Sequence, residues 1–254
     1  MRSRAALVLV PLAALLLSGA YAPRPPASAF GPGERLVLDV SWLGLDVGRA
    51  DIVIGAAVTR ADAAAAFPIS VEANTHGLAD HLYGIHDRFV TWFDPASGRT
   101  WGNHLDANEG GKSHSLDMRF SAPDHVVVTN ELAGAREGWE REVSPGAADL
   151  ASVLYVLRAR ALDPGEAFSV PVFTGRDQWM LDARVVGHES VEVGAGRFDA
   201  VVVKARTHLT GKLASDRELT LWMTADAHHV PLQLEAQFAL GAFRAQLVDY
   251  ASAR

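Results

Sequence analysis

From Glu34 onward, apolar and polar residues alternate in short runs. RLVLDVSW (35–42) sets Leu36, Leu38 and Val40 on one face of an extended strand, and Trp42 continues that face. The same two-residue period runs through GRADIVIGAAV (48–58), FPISVEANT (67–75), DRFVTWF (87–93), SHSLDMRF (113–120) and DHVVVTNE (124–131). It resumes in EAFSVPVF (166–173), WMLDARVVG (179–187), SVEVG (190–194), RFDAVVVKARTHL (197–209), RELTLWMT (217–224), PLQLEAQF (231–238) and AFRAQLVDY (242–250). Polar, glycine-containing pieces such as DPASG (94–98) and NEGG (108–111) read as the turns between them. Roughly a dozen short strands at regular spacing predict a mainly β fold. The architecture expected is a single antiparallel, strongly curved sheet or open barrel.

One segment departs from this rhythm. SPGAADLASVLYVLRARALDPG (144–165) offers Ser144 as N-cap, Pro145 at the first helical position and Asp149 for capping or dipole stabilisation. Leu150, Val153, Leu154, Leu157 and Ala161 then recur at helical spacing, and Asp163-Pro164-Gly165 ends the run. The pattern predicts one helix at about 145–161, packed into or across the open side of the sheet. No linker interrupts the strands, so residues 30–254 read as a single domain. The alternative is two domains divided near the helix.

The first residues change the picture. MRSRAALVLVPLAALLLSGAYA places Arg2 and Arg4 before an uncharged apolar run, Ala5 to Leu17, followed by small residues. That is the layout of a secretory signal peptide, and the run falls short of the ~20 residues that span a bilayer. Residues 1–29 are therefore expected to be a cleaved leader, cut after Ala29, with a cut after Ala22 as the alternative. A periplasmic location follows, with no stable membrane anchor after cleavage. The chain has no cysteine, so disulfides, thiolate ligands and a lipidated cysteine are excluded and stability must come from the core. Loss of Arg2, Arg4 and Arg24 with the leader would take the formal net charge from −7 to −10. So acidic a chain argues against nucleic acid and anionic lipid surfaces as partners.

Candidate chemistry is sparse. THGLADHLYGIHD (75–87) holds His76, His81 and His86 at intervals of five, with Asp80 and Asp87 among them. Residues five apart face opposite sides of a strand and lie about 140° apart on a helix, so these imidazoles converge in neither. His104, His114 and the His228-His229 pair add no recognised ligand spacing, and no metal or other cofactor is expected. A nucleophile elbow is missing as well. GAGRF (194–198) joins two strands rather than opening a helix, so it reads as a tight turn. Asp94, Asp149 and Asp226 are the carboxylates a hydrolase would draw on, although sequence distance cannot pair them. Gly44, Gly48 and Gly77 read as structural, relieving crowding or permitting bends. The aromatics say more. Trp42, Trp92 and Trp222 sit in apolar strand segments and Tyr155 sits on the helix. A curved sheet closed by one helix can leave a concave apolar face that binds ligands.

Several of these stretches together resemble the DUF3108 family of exported bacterial proteins. The resemblance begins at Gly33-Glu34 and runs through SWLGLDVGRA (41–50), with Trp42, Gly44 and Gly48 in register. It continues in GLADHLYGIHDRFVTWFD (77–94) at Gly77, Leu78, Tyr83, Asp87 and Asp94. DLASVLYVLRARALDPGEAF (149–168), VEVGAGRFDAVVVK (191–204) and LWMTADAHHVPLQLEAQFALG (221–241), with Trp222, Asp226 and Pro231, complete it. It implies one secreted, mostly β domain without an assigned activity, and carries over no catalytic residue. The leading expectation is a non-enzymatic periplasmic protein that binds a lipid, another apolar or amphipathic ligand, or an envelope protein. Trp42, Tyr83, Trp92, Tyr155 and Trp222 are the candidates for lining its cavity. The alternatives are an envelope glycan hydrolase using paired carboxylates, such as Asp94 or Asp226, and a structural module that binds along an exposed strand edge.

Overall fold

The computed structural model describes residues 29–59, 64–209, 217–238 and 241–253. Its elements are β1 (Arg35–Trp42), β2 (Leu45–Ile54), β3 (Val58–Thr59), β4 (Ala65–Thr75), α1 (Gly77–Tyr83), β5 (His86–Asp94), β6 (Arg99–Glu109), β7 (Lys112–Ala122), β8 (His125–Leu132) and β9 (Ala135–Glu142). After them come α2 (Ser152–Arg158), β10 (Ala167–Phe173), β11 (Gln178–Val193), β12 (Gly196–Leu209), β13 (Arg217–Thr224), β14 (Pro231–Phe238) and β15 (Gly241–Ala251). The strands form one 15-stranded sheet, ordered β10-β11-β12-β13-β14-β15-β1-β2-β4-β5-β6-β7-β8-β9, with β3 set aside on β4. Every ladder along that path is antiparallel, as expected from period-two runs joined by short turns.

Two up-and-down meanders are thus welded where the first and last strands pair, Arg35 opposite Ala251. The free edges, β9 and β10, flank α2 in sequence. They are not joined by a ladder, so the sheet does not close into a barrel. The chain after β9 covers the seam instead. Ala148 N–H donates to the Pro171 carbonyl at 2.9 Å, and Phe173 N–H donates to Ala148 at 2.8 Å. The Trp139 indole reaches the Gly175 carbonyl at 3.1 Å, and the Gln178 amide donates to the Ser144 hydroxyl at 2.8 Å. β9 itself, AREGWERE, carries charge along nearly its whole length, which discourages pairing with another chain.

Three buried clusters hold the sheet. One gathers Leu36, Ile52, Ile69, Phe93 and Leu247 around Tyr155. A second packs Leu157 of α2 on Val170, Leu181, Val203 and Met223. The third joins Met118, Val126 and Val128 to Phe173 across the seam.

The helix differs from the one expected at 145–161. It spans only Ser152–Arg158. Gly146 takes φ 77° and turns the chain, and Ser144 is occupied by Gln178, so neither Ser144 nor Pro145 starts a helix. Asp149 does the capping: its Oδ1 accepts from the Ala151 and Ser152 N–H groups at 3.0 and 2.8 Å, while the Ser152 hydroxyl accepts from the Asp149 N–H. Leu150, part of the expected buried stripe, is exposed. The leader, residues 1–29 with either cut, lies outside the described residues except for Ala29. That residue is buried, and its carbonyl accepts from Arg158.

Candidate functional site

Cross-strand register sorts every side chain to one of two faces, and the face towards α2 is mostly apolar, with Thr91, Thr100 and Asn103 the polar exceptions beside α2. One continuous row crosses six strands: Leu36, Ile52, Val71, Phe89, Leu105, Leu116. Leu36 and Ile52 are buried, whereas Val71, Phe89, Leu105 and Leu116 are only half-buried. On the opposite wall Val40, Ala245, Leu234, Leu221 and Val203 form a second row, in which Val40 and Leu234 are half-buried. The cause is geometric. A wall of this many strands wraps more interior than its side chains fill, since about eight strands suffice for a filled barrel. The single inward helix, seven residues long, occupies only one end.

That end is sealed by polar groups as well as by the core. The Arg158 guanidinium, fully buried, donates to both Glu34 carboxylate oxygens at 2.6 and 2.9 Å, to the Ala29 carbonyl at 3.1 Å and to the His228 carbonyl at 3.2 Å. It lies between the Phe30 and Tyr155 rings, 5.1 and 5.2 Å from their centroids. Burial lowers its pKa, but the Glu34 carboxylate outweighs this and raises it, so the guanidinium stays charged. Burial likewise raises the Tyr155 phenol, whose oxygen has no hydrogen-bond partner. Beside them Asp149 Oδ2 accepts from Thr91 at 2.6 Å and Asn103 at 3.0 Å, tying α2 to β5 and β6.

The opposite end is a rim of hairpin tips that carries several exposed apolar side chains among charged ones. Trp42, Leu43 and Leu45 are exposed at the β1–β2 turn. α1 buries no residue: Leu78 and Leu82 are 76% and 77% exposed, and Tyr83 lies against Gly110 of the β6–β7 turn. An amphipathic helix ordinarily turns such leucines inward. Here they point to solvent at the same end of the sheet as Trp42, Leu43 and Leu45.

The five aromatic candidates do not meet in one hollow. Trp42 and Tyr83 share the rim, and Tyr155 is locked in the core. Trp92 falls between Thr91 and Phe93, which both face α2, so its indole lies on the outer face. Trp222 is placed outward in the same way by Leu221 and Met223, and its indole donates to Glu189. Residue type marked these positions, but strand parity decides which way each one faces. Glu34 and Arg158, the polar pair that organises the sealed end, were not singled out, because they meet across 124 residues of sequence.

Each of the three clustered histidines finds a local partner. His76 approaches Asp46 at 3.3 Å, His86 approaches Asp80 at 3.0 Å, and the His81 Nδ1 lies 2.8 Å from the Gly77 carbonyl. Among the described residues no group of three or more such side chains could hold a metal ion. Asp94 accepts from Ala96 N–H, Ser97 N–H and the Ser97 hydroxyl, and Asp226 from the Thr224 hydroxyl and His228 N–H. Both are turn caps. Partial burial raises the Asp226 pKa, but those donors outweigh it and hold it below the usual carboxylate range.

Comparison with solved structures places the fold among β-barrel-like proteins. A β-barrel-like protein of the domain of unknown function DUF1849 from Brucella abortus superposes with a TM-score of 0.60 at 10% identity, covering 89% of this chain and 99% of its own. A candidate exported protein with a YmcC-like fold from Bacteroides fragilis (TM-score 0.36, 11% identity, 89% and 100% covered) is a more distant likeness. So is a candidate lipoprotein from Parabacteroides distasonis (TM-score 0.36, 12% identity, 88% and 98% covered). No functionally curated protein matches the sequence. The family model described as a protein of unknown function, DUF3108, matches residues 37–248, from β1 into β15, and the chain belongs to that family.

Proposed function

We propose that this is an exported, non-enzymatic binding protein of the periplasm that takes an apolar or amphipathic ligand against the inner face of its sheet. One observation carries the reading. Inward-facing Val71, Phe89, Leu105 and Leu116 form a continuous apolar row that is only partly buried, in a sheet whose rim exposes Trp42, Leu78, Leu82 and Tyr83. Apolar surface left in water at about 25 cal/mol per Å² is a standing driving force for a ligand that covers it. The carboxylates a hydrolase would use are committed to turn caps, and the charged edge of β9 does not favour an added strand.

The test uses protein purified from the envelope fraction. Denaturing extraction followed by lipid mass spectrometry should recover a stoichiometric amphiphile, and delipidated protein should take up the probe N-phenyl-1-naphthylamine. Leu105→Arg, which sets a charge into the half-exposed row, should weaken uptake about tenfold or more with the β-sheet circular dichroism retained. Protein that comes off empty and takes up no probe would remove the reading.

A further inference from the structure

We propose that the leader is cut upstream of Ala29, within residues 18–22, so that Ala29 stays on the mature protein as part of its buried core. The inference rests on the export reading above and places the processing site within it. At Ala29 the chain is already inside the fold. Ala29 and Phe30 are 2% and 8% exposed. The Phe30 ring meets Tyr155 edge-on at 4.9 Å and lies 6.0 Å from Phe93. The buried Arg158 guanidinium has as acceptors the two Glu34 oxygens and the carbonyls of Ala29 and His228.

A cut after Ala29 would damage this site twice. It would delete the Ala29 carbonyl, which accepts from Arg158 Nη2 at 3.1 Å. It would also turn the Phe30 amide into an ammonium. That nitrogen and the carbonyl oxygen share one carbon, through bonds of about 1.2 and 1.3 Å, so the new cation would start within about 6 Å of Arg158 Nη2. Both Glu34 oxygens already accept from Arg158. Two cations would then face one carboxylate in a site closed to water, and an unbalanced buried charge is costly. The sequence offers a way round this. Small residues stand one and three places before a cut after Ala20 (Ser18-Gly19-Ala20) and before a cut after Ala22 (Ala20-Tyr21-Ala22), directly behind the apolar run. The first also keeps Pro23 away from the new terminus. Either cut moves the terminal charge from residue 30 to residue 21 or 23.

The experiment exports the full precursor and reads the intact mass and amino-terminal sequence of the protein released by osmotic shock. A start at Tyr21 or Pro23 is expected, and a start at Phe30 would overturn the proposal. A chain that stays in the cytoplasm with Met1 in place would remove the export reading and this one with it, so the two failures are distinguishable. A second measurement needs no peptidase. Chains that begin at Tyr21 and at Phe30, released from a cleavable fusion, are unfolded in urea at about pH 6 and pH 9. An α-amino group ordinarily titrates near ~8, and burial beside Arg158 disfavours its charged form. The unfolded Phe30 chain then binds more protons than the folded one, so its stability rises with pH. The other charged or titratable groups facing Arg158 are Glu34, ahead of β1, Tyr155 of α2 and Tyr250 of β15. Burial raises both phenols, so neither titrates in this window. At pH 6 the unfolding equilibrium constant of the Phe30 chain should exceed that of the Tyr21 chain about tenfold or more, and the gap should narrow at pH 9. Equal urea midpoints for the two chains at pH 6 would overturn the proposal.

Discussion

Burying Arg158 against Glu34 withdraws two charges from water, a penalty of several kcal/mol per ion that their attraction repays only with good geometry. The geometry is good: two short parallel bonds, two backbone carbonyls and two flanking rings. Removing one partner strands the other, so Glu34→Leu or Arg158→Met should each cost ~3–5 kcal/mol in urea unfolding. The double change Glu34→Leu with Arg158→Met should cost less than either single change, and strict additivity would show that the two are uncoupled. His104 is a surface counterpart, between Asp117 at 2.9 Å and Asp106 at 3.1 Å. Partial burial lowers its pKa, but the two carboxylates outweigh that and raise it above 6.5. Its stabilisation is therefore complete below the unfolded pKa and disappears as pH rises through the folded one. His104→Asn should lower stability at about pH 5 by no more than ~1 kcal/mol, given its exposure, and change little near pH 9. Glu34 stands in a stretch that resembles the family, yet neither its burial nor its partner could be read there, since nothing local marks a contact so distant in sequence.

Strands were legible wherever one face had to be apolar. Arg35–Trp42 and Gly196–Leu209 announce themselves by alternation, and the β1–β2 and β11–β12 pairings follow from the turns between them. β6 and β9 were not expected. RTWGNHLDANE breaks its alternation at the bulge and at buried Asn103, and AREGWERE has a single large apolar residue, Trp139, facing the seam. α1 was missed because seven residues hold no full helical stripe and none of them is buried. In α2 the helix starts later than a Ser144 cap implies, while Asp149 takes the capping role its position suggests. Asp149, rather than Ser144, supplies the acceptor, and the glycine after Pro145 takes a left-handed turn. Because the α1 leucines are largely exposed, Leu78→Ser combined with Leu82→Ser should leave the melting transition within about 0.5 kcal/mol of the parent. The same change should reduce the fluorescence of a surface-apolar dye. A large loss of stability instead would mean that α1 packs against the sheet.

At the scale of the molecule, the curved antiparallel wall with a helix at its open side was readable from period and turn spacing alone. The interior was not. Whether Leu105 faces a filled core or a half-empty one depends on how many strands share the circumference, and on a register that no single strand encodes. Trp92 illustrates the same limit: one bulge puts it beside Trp101 on the outside. The order of pairing has a further effect on how the chain matures. Strand β1 bonds to β2 at once, but its other neighbour is β15, the final strand of the chain. Emerging amino end first from a ribosome, the molecule must hold one raw edge of its opening meander uncapped until β15 arrives. Loop closure over that span is slow, so the β1–β15 ladder should be among the last to form, with hydrogen-exchange protection at β1 appearing late in refolding.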